Sequence, residues 1–308
     1  MKKVLIFTFA GIILLAFIIK IASSGNDYDD GYDEIAPFVS SEQNWDDKGS
    51  NTIDVRATES DNTSAVPTLQ VNETLTDEDL YRTELPRLQV KRPEQMLKRV
   101  GYITSYNNQT KNANWVAWKL TREHTDGPYS RKGVPYYEDM EVEGGRQELS
   151  DWYNTGLPID HGHLCPAGDN KWSEDAMHQT FLLTNMCPQN STLNQNNWEY
   201  LERRCRGWAK HYGEVYIATG PIFYSDDYAT IGANTVGVPD AFFKVVLRLG
   251  NKPQALGFIY KNDGEGHKLD YYLLSVDEVE RVTGIDFFYN LPDDIEDVVE
   301  KTSDLKKW

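Results

Sequence analysis

Hydrophobic and polar positions divide the 308-residue chain into three stretches. Val4 to Ile19 is almost unbroken apolar sequence behind Lys2 and Lys3. Residues 23–85 place apolar side chains singly among acidic and small polar ones, and from residue 86 the pattern becomes that of a folded domain. There, Trp115–Thr121 alternates and is rich in aromatic and β-branched residues, which predicts a strand. Val215–Thr219, Phe242–Leu249, Gln254–Tyr260 and Leu269–Val276 predict four more. Asp160–Cys165, after the turn at Gly156-Leu157-Pro158, predicts a short strand or irregular turn. Helices are expected over Ser173–Thr184 with Ser173 as N-cap, Leu193–Tyr212 ended by Gly213, Asp277–Thr283 and Pro292–Lys301. Asn185–Thr192 reads as a polar loop around Pro188. Strands separated by long connections and occasional helices predict an α+β fold, with a mostly antiparallel central sheet flanked by helices. A parallel, doubly wound sheet ranks behind it, because no Gly-rich phosphate loop follows the first strand.

The first two stretches set the expected organisation: residues 1–22 a signal peptide or membrane anchor, 23–85 an acidic disordered tether, 86–308 the folded domain. Sixteen helical residues span roughly 24 Å, short of a ~30 Å hydrocarbon core. Lys20 can snorkel to extend the span, whereas Ala22-Ser23-Ser24-Gly25 suits cleavage. Either way the bulk of the chain is expected outside the cytoplasm, secreted or held to the membrane by its N-terminus. Residues 23–82 hold fifteen Asp and Glu against Lys48, Arg56 and Arg82, a net −12 of the chain's −17. Too few apolar groups are present there to offset ordering entropy. The remaining 83–308 carry −8, so a polyanionic partner must be met by local cations, among them Lys91, Arg92, Lys98, Arg99, Arg203, Arg204 and Arg206.

Chemistry concentrates in Asp160-His161-Gly162-His163, followed by Asn185, Asn194, Glu202 and Arg206. A neutral imidazole at His163 can take a proton from water. Asp160, three residues earlier, is placed to hold the other ring nitrogen. The Asn194 amide oxygen suits a hard cation such as Mg²⁺, with Mn²⁺ or another divalent ion as alternatives. Glu202 is two turns further along the helix, where it can order a metal's water shell, and Arg206 follows at i+4 to meet a phosphate. Asn185 is a further candidate for either task. A competing pattern joins His161, His163, Cys165 and Cys187 as a structural zinc site, though the spacing is looser than a CxxC pair. Cys165, Cys187 and Cys205 leave one thiol unpaired if two of them bond.

These motifs resemble the DNA/RNA non-specific endonucleases of the ββα-metal type, whose signature runs Asp-Arg-Gly-His, Asn-x-x-Pro-Gln, Leu-Asn-Gln, Trp and Glu. This chain has Asp160-His161-Gly162-His163, Asn185-Met186-Cys187-Pro188-Gln189, Leu193-Asn194-Gln195, Trp198 and Glu202. The likeness continues through Thr219–Phe223, Val238-Pro239, Phe243-Lys244 and Glu280–Phe288. The resemblance implies a ββα-metal active site cutting DNA and RNA with one divalent ion. In it His163 is the general base, Asn194 the metal ligand, Glu202 on the water shell, and Asn185 and Arg206 near metal and phosphate. One position departs from the signature: His161 stands where the family has Arg, exchanging a permanent bidentate cation for a shorter, partly protonated ring. The alternative reading is a catalytically impaired relative that binds nucleic acid or a partner protein.

Overall fold

The structure, a computed structural model, describes residues 82–308; the apolar run at 4–19 and the expected tether up to residue 81 lie outside the described residues. Packing begins just before the expected domain start, with Glu84 and Leu85 each only 2% exposed. Seven strands form one sheet: β1 (Gln95–Lys98), β2 (Ile103–Asn107), β3 (Asn112–Thr121), β6 (Glu214–Ile222), β7 (Ala241–Arg248), β8 (Gln254–Lys261) and β9 (Leu273–Leu274). The spatial order is β9-β8-β7-β6-β3-β2-β1, and each pairing is antiparallel. A separate two-stranded antiparallel ribbon pairs β4 (Ile159–His163) with β5 (Met186–Asn190).

Alternation along the central strands assigns the faces. Val116, Trp118 and Leu120 of β3 join Phe242, Val246, Leu256, Phe258 and Tyr260 in one core cluster. Against them pack Trp198, Leu201, Cys205 and Trp208 from the long helix that ends at Tyr212. The opposite face is covered by α3 (Val276–Thr283) and α4 (Asp293–Glu300), and an added Cβ on Gly257 would lie 2.7 Å from Val279 Cγ2. With both faces covered, β3, β6, β7 and β8 are buried along most of their length.

Three expectations need correction. The helix foreseen over Ser173–Thr184 is only α1 (Glu174–Gln179), capped as expected by Ser173. It stops because Phe181 and Leu183 exchange backbone hydrogen bonds with Tyr137, a tertiary pairing that outcompetes helix propensity. Asn185–Thr192 is not a loop, since its middle is β5, and Pro188 is accommodated in a ribbon that has no further strand beyond it. Leu269–Val276 is mostly a 3₁₀ turn, Leu269–Tyr272, before the two residues of β9. The reciprocal Ser275 and Glu278 capping box then starts α3 early.

Candidate active site

The site is built on the β4–β5 ribbon and the helix that leaves it. Asn190 ends β5 and caps that helix, its Oδ1 accepting from the Thr192 and Leu193 amides at 2.9 and 3.2 Å. With the cap assigned to Asn190, Asn194 is left to project its carboxamide. Residues Asn194–Trp198 form a π turn, a local widening that recurs at functional sites, before α2 (Glu199–Tyr212) continues regularly.

Asp160 joins strand to helix. Its carboxylate accepts from Ser191 Oγ at 2.7 Å, Asn194 Nδ2 at 2.9 Å and Gln195 Nε2 at 2.9 Å. Burial alone would raise this acid, but the hydrogen bonds from Asn194, Gln195 and Ser191 hold it below the usual carboxylate range. The expectation that Asp160 orients His163 is therefore corrected: its oxygens serve the helix. The Asn194 amide is oriented with its nitrogen towards Asp160 and its oxygen turned away.

His163 ends β4 as a buried side chain, its ring edge-on to Phe181 at 5.0 Å and tilted to Tyr136 at 6.0 Å. Burial, and then the Arg131 charge, push the imidazole down to about 3 while a hydrogen bond to the His161 backbone acts in the opposite direction. The ring is neutral at pH 7, further from titration than its ordinary value of ~6.5 implies. Its Nε2 is buried without a hydrogen-bond partner.

His161 is sandwiched between Trp152 at 4.0 Å and Tyr136 at 4.2 Å, with interplanar angles of 17° and 13°. Burial lowers it to about 4 against the pull of Asp160, so it is uncharged at neutral pH rather than partly protonated. The zinc alternative fails for a geometric reason. Cys187 is paired with Gly162, so it projects from the ribbon face opposite His161 and His163. Among the described residues all three cysteines are free and buried. Gly162 itself is required by close approach, because an added Cβ would meet Gln189 at 2.5 Å.

Asn185 does not face the site. Its Nδ2 donates to the Cys165 and Thr180 carbonyls at 2.8 Å each and its Oδ1 accepts from Cys165 N at 2.9 Å. It fastens the excursion between the two ribbon strands, which sets where His163 emerges. Arg206 is likewise committed in part, with Nη1 on Asp169 at 3.0 Å. Asp169 is buried and also accepts from Trp118 Nε1 at 3.1 Å. Beside them Glu202 is pushed up by burial to about 7, although Lys244 and Arg206 pull it down. Lys244 is fully buried with Nζ 4.6 Å from the Trp198 ring centre and 5.2 Å from that of Trp118.

The sequence reading missed Asp169, Tyr136, Trp152 and Arg131. Arg131 is exposed, with its guanidinium carbon 5.6 Å from the Phe181 ring centre, and it carries positive charge towards the His163 ring. No motif marks it; the Arg131-Lys132 pair in a polar stretch was the available signal.

Comparison with known proteins gives the same frame. Residues 84–294 match the family model described as DNA/RNA non-specific endonuclease. Mitochondrial endonuclease G of Bos taurus is 32% identical over 210 residues, 64% of this chain and 70% of the relative. Nuclease C1 of Cunninghamella echinulata var. echinulata is 36% identical over 211 residues, 63% and 83% of the two chains. The crystal structure of the EndoG/EndoGI complex contains a chain similar to this one with a TM-score of 0.61 and 27% identity, covering 65% of this chain and 88% of that one. With its ribbon, helix and antiparallel sheet in this arrangement, the chain belongs to the DNA/RNA non-specific endonuclease family and is an endonuclease.

Proposed function

We propose that this chain hydrolyses phosphodiester bonds of both DNA and RNA with a divalent ion, His163 acting as general base. The observation that carries the reading is the division of labour around Asp160. By taking the Asn194 amide nitrogen it leaves the amide oxygen free to act as a ligand, and three residues further along β4 the His163 Nε2 is buried without a partner. A hard cation with oxygen ligands fits that donor set, Mg²⁺ or Mn²⁺ above others. When bound it supplies positive charge to the phosphoryl and leaving oxygens. His163 Nε2, neutral at pH 7 and without another partner, would take the proton of the attacking water. Glu202, which burial raises to about 7 while the charges of Lys244 and Arg206 pull it down, would order the ion's water shell as a carboxylate. Arg131, and the Arg206 nitrogens not spent on Asp169, meet the phosphate. These contacts are all to the backbone of the substrate, which carries no base information, so sequence preference is weak.

The protein should nick supercoiled plasmid and degrade RNA with Mg²⁺ and stop with EDTA. Cleavage indifferent to chelator would remove the ion from the mechanism, and no cleavage with any divalent ion would favour a binding role. The N-terminal apolar run and acidic segment support a nuclease working outside the cytoplasm, secreted or membrane-held.

His161 gives a second test. An arginine there can stack between Trp152 and Tyr136 as the imidazole does, while adding a permanent charge. His161→Arg should lower KM for DNA about fivefold, roughly 1 kcal/mol after screening, with little change in kcat. Because the native ring is neutral above about pH 4, the ratio should be flat from pH 6 to 8. An unchanged or raised KM throughout that range would reject a phosphate role for this position.

A further inference from the structure

On the face of the sheet away from α2, helices α3 and α4 bring together Asp277, Glu280 and Glu300, each offering an oxygen within 4.8 Å of the others. Strand β8 separates this cluster from the nuclease site: Leu256, Phe258 and Tyr260 join the core under α2, whereas Gly257 faces Val279 of α3. The family's nuclease reaction uses none of these residues.

The second observation is Glu300 itself. It is 6% exposed and its Oε1 is buried with no hydrogen-bond partner. Glu280 spends Oε1 on the Phe287 amide at 2.8 Å, while Arg281 and Lys301, which line a concavity with Asp277 and Glu280, turn to other groups. Arg281 Nε donates to the Asp277 carbonyl at 3.2 Å and Lys301 Nζ lies 3.3 Å from Asp297. Burial and the neighbouring acids push Glu300 up to about 9 and Glu280 up to about 7. Buried carboxylates without a cation are strongly disfavoured, and the arrangement is relieved either by shared protons or by a hard ion. Small side-chain adjustments bring oxygens at this spacing to one Ca²⁺ at its usual distances of about 2.3–2.6 Å.

We propose that Asp277, Glu280 and Glu300 bind one divalent cation of the calcium type, distinct from the catalytic ion, which clamps α3 to α4. Titration calorimetry and thermal melting with CaCl₂ at pH 8 test this on the full chain carrying Asn194→Ala, so that the catalytic position contributes little. One Ca²⁺ should bind and raise Tm by about 5 °C at saturation. Adding Glu280→Gln and Glu300→Gln should abolish both effects, with a Tm in chelator at or above that of the parent, since the amides carry no charge. If that variant does not fold, Asp277→Asn at the half-buried position should weaken Ca²⁺ at least tenfold. No bound Ca²⁺ would overturn the proposal and leave a proton-sharing cluster. Binding that survives these substitutions would overturn it equally, by placing the ion elsewhere.

Discussion

His163→Ala is expected to lower kcat about a thousandfold, within the range for losing a positioned general base, while leaving KM and the fold nearly unchanged. The imidazole makes no hydrogen bond through Nε2, so its removal breaks no polar contact there; what it leaves is a cavity bordered by Phe181 and Tyr136. That cavity is the size of the lost ring, and added imidazole should restore part of the rate. The pH profile of the native enzyme provides a separate check. His163 stays neutral down to about pH 3, so the acid limb does not belong to the base. On the proposed assignment it belongs to Glu202, which burial raises to about 7 and which would work as a carboxylate. Since its pKa is raised, the active form is populated as pH rises through 7 and lost below it. A bound cation favours the carboxylate, so the midpoint should fall as divalent ion is added. A variant retaining more than a tenth of the rate, or a limb unmoved by the ion, would dismiss these assignments.

The main sheet and the site differed in how much of them the sequence disclosed. Strands such as Trp115–Thr121 were legible because alternation is a property of one segment, and Leu193–Tyr212 because amphipathic spacing and Gly213 are local too. Failures occurred where a distant partner decides. Phe181 and Leu183 abandon helix for Tyr137, and Met186–Asn190 becomes a strand only because Ile159–His163 lies beside it. At the site, the motifs singled out His163, Asn194 and Glu202, and helix spacing added Arg206, but their hydrogen-bond connections were not legible. Asp160 was assigned to the imidazole and instead orients the Asn194 amide. Asn185 was assigned to metal or phosphate and instead ties down backbone. Asp169 carries no motif in sequence, yet it fixes Arg206 and Trp118 in one buried arrangement with Lys244 nearby. Residue type announces chemistry, whereas the choice of hydrogen-bond partner is settled only when strands and helices meet.

The arrangement around Asp160 carries the second large effect. Asp160→Ala should raise the divalent-ion concentration for half-maximal cleavage by about 10–100-fold, the usual consequence of losing a residue that orients a metal ligand. On the proposed ligand assignment, the Asn194 amide can turn over without the carboxylate, presenting nitrogen where a ligand oxygen would be needed. Raising the ion concentration should recover most of the rate, because Asn194 itself remains. Asn194→Ala should show no such recovery. Ser191→Ala and Gln195→Ala, which each remove one of the other two bonds to Asp160, should shift the midpoint far less, since the Asn194 contact survives. The three lost hydrogen bonds to a charged carboxylate are worth on the order of 1–2 kcal/mol each, less where water replaces them, so the assay belongs well below the melting temperature. A midpoint that does not move in Asp160→Ala would mean that the amide is oriented by something else, and the ligand assignment of Asn194 would lose its structural basis.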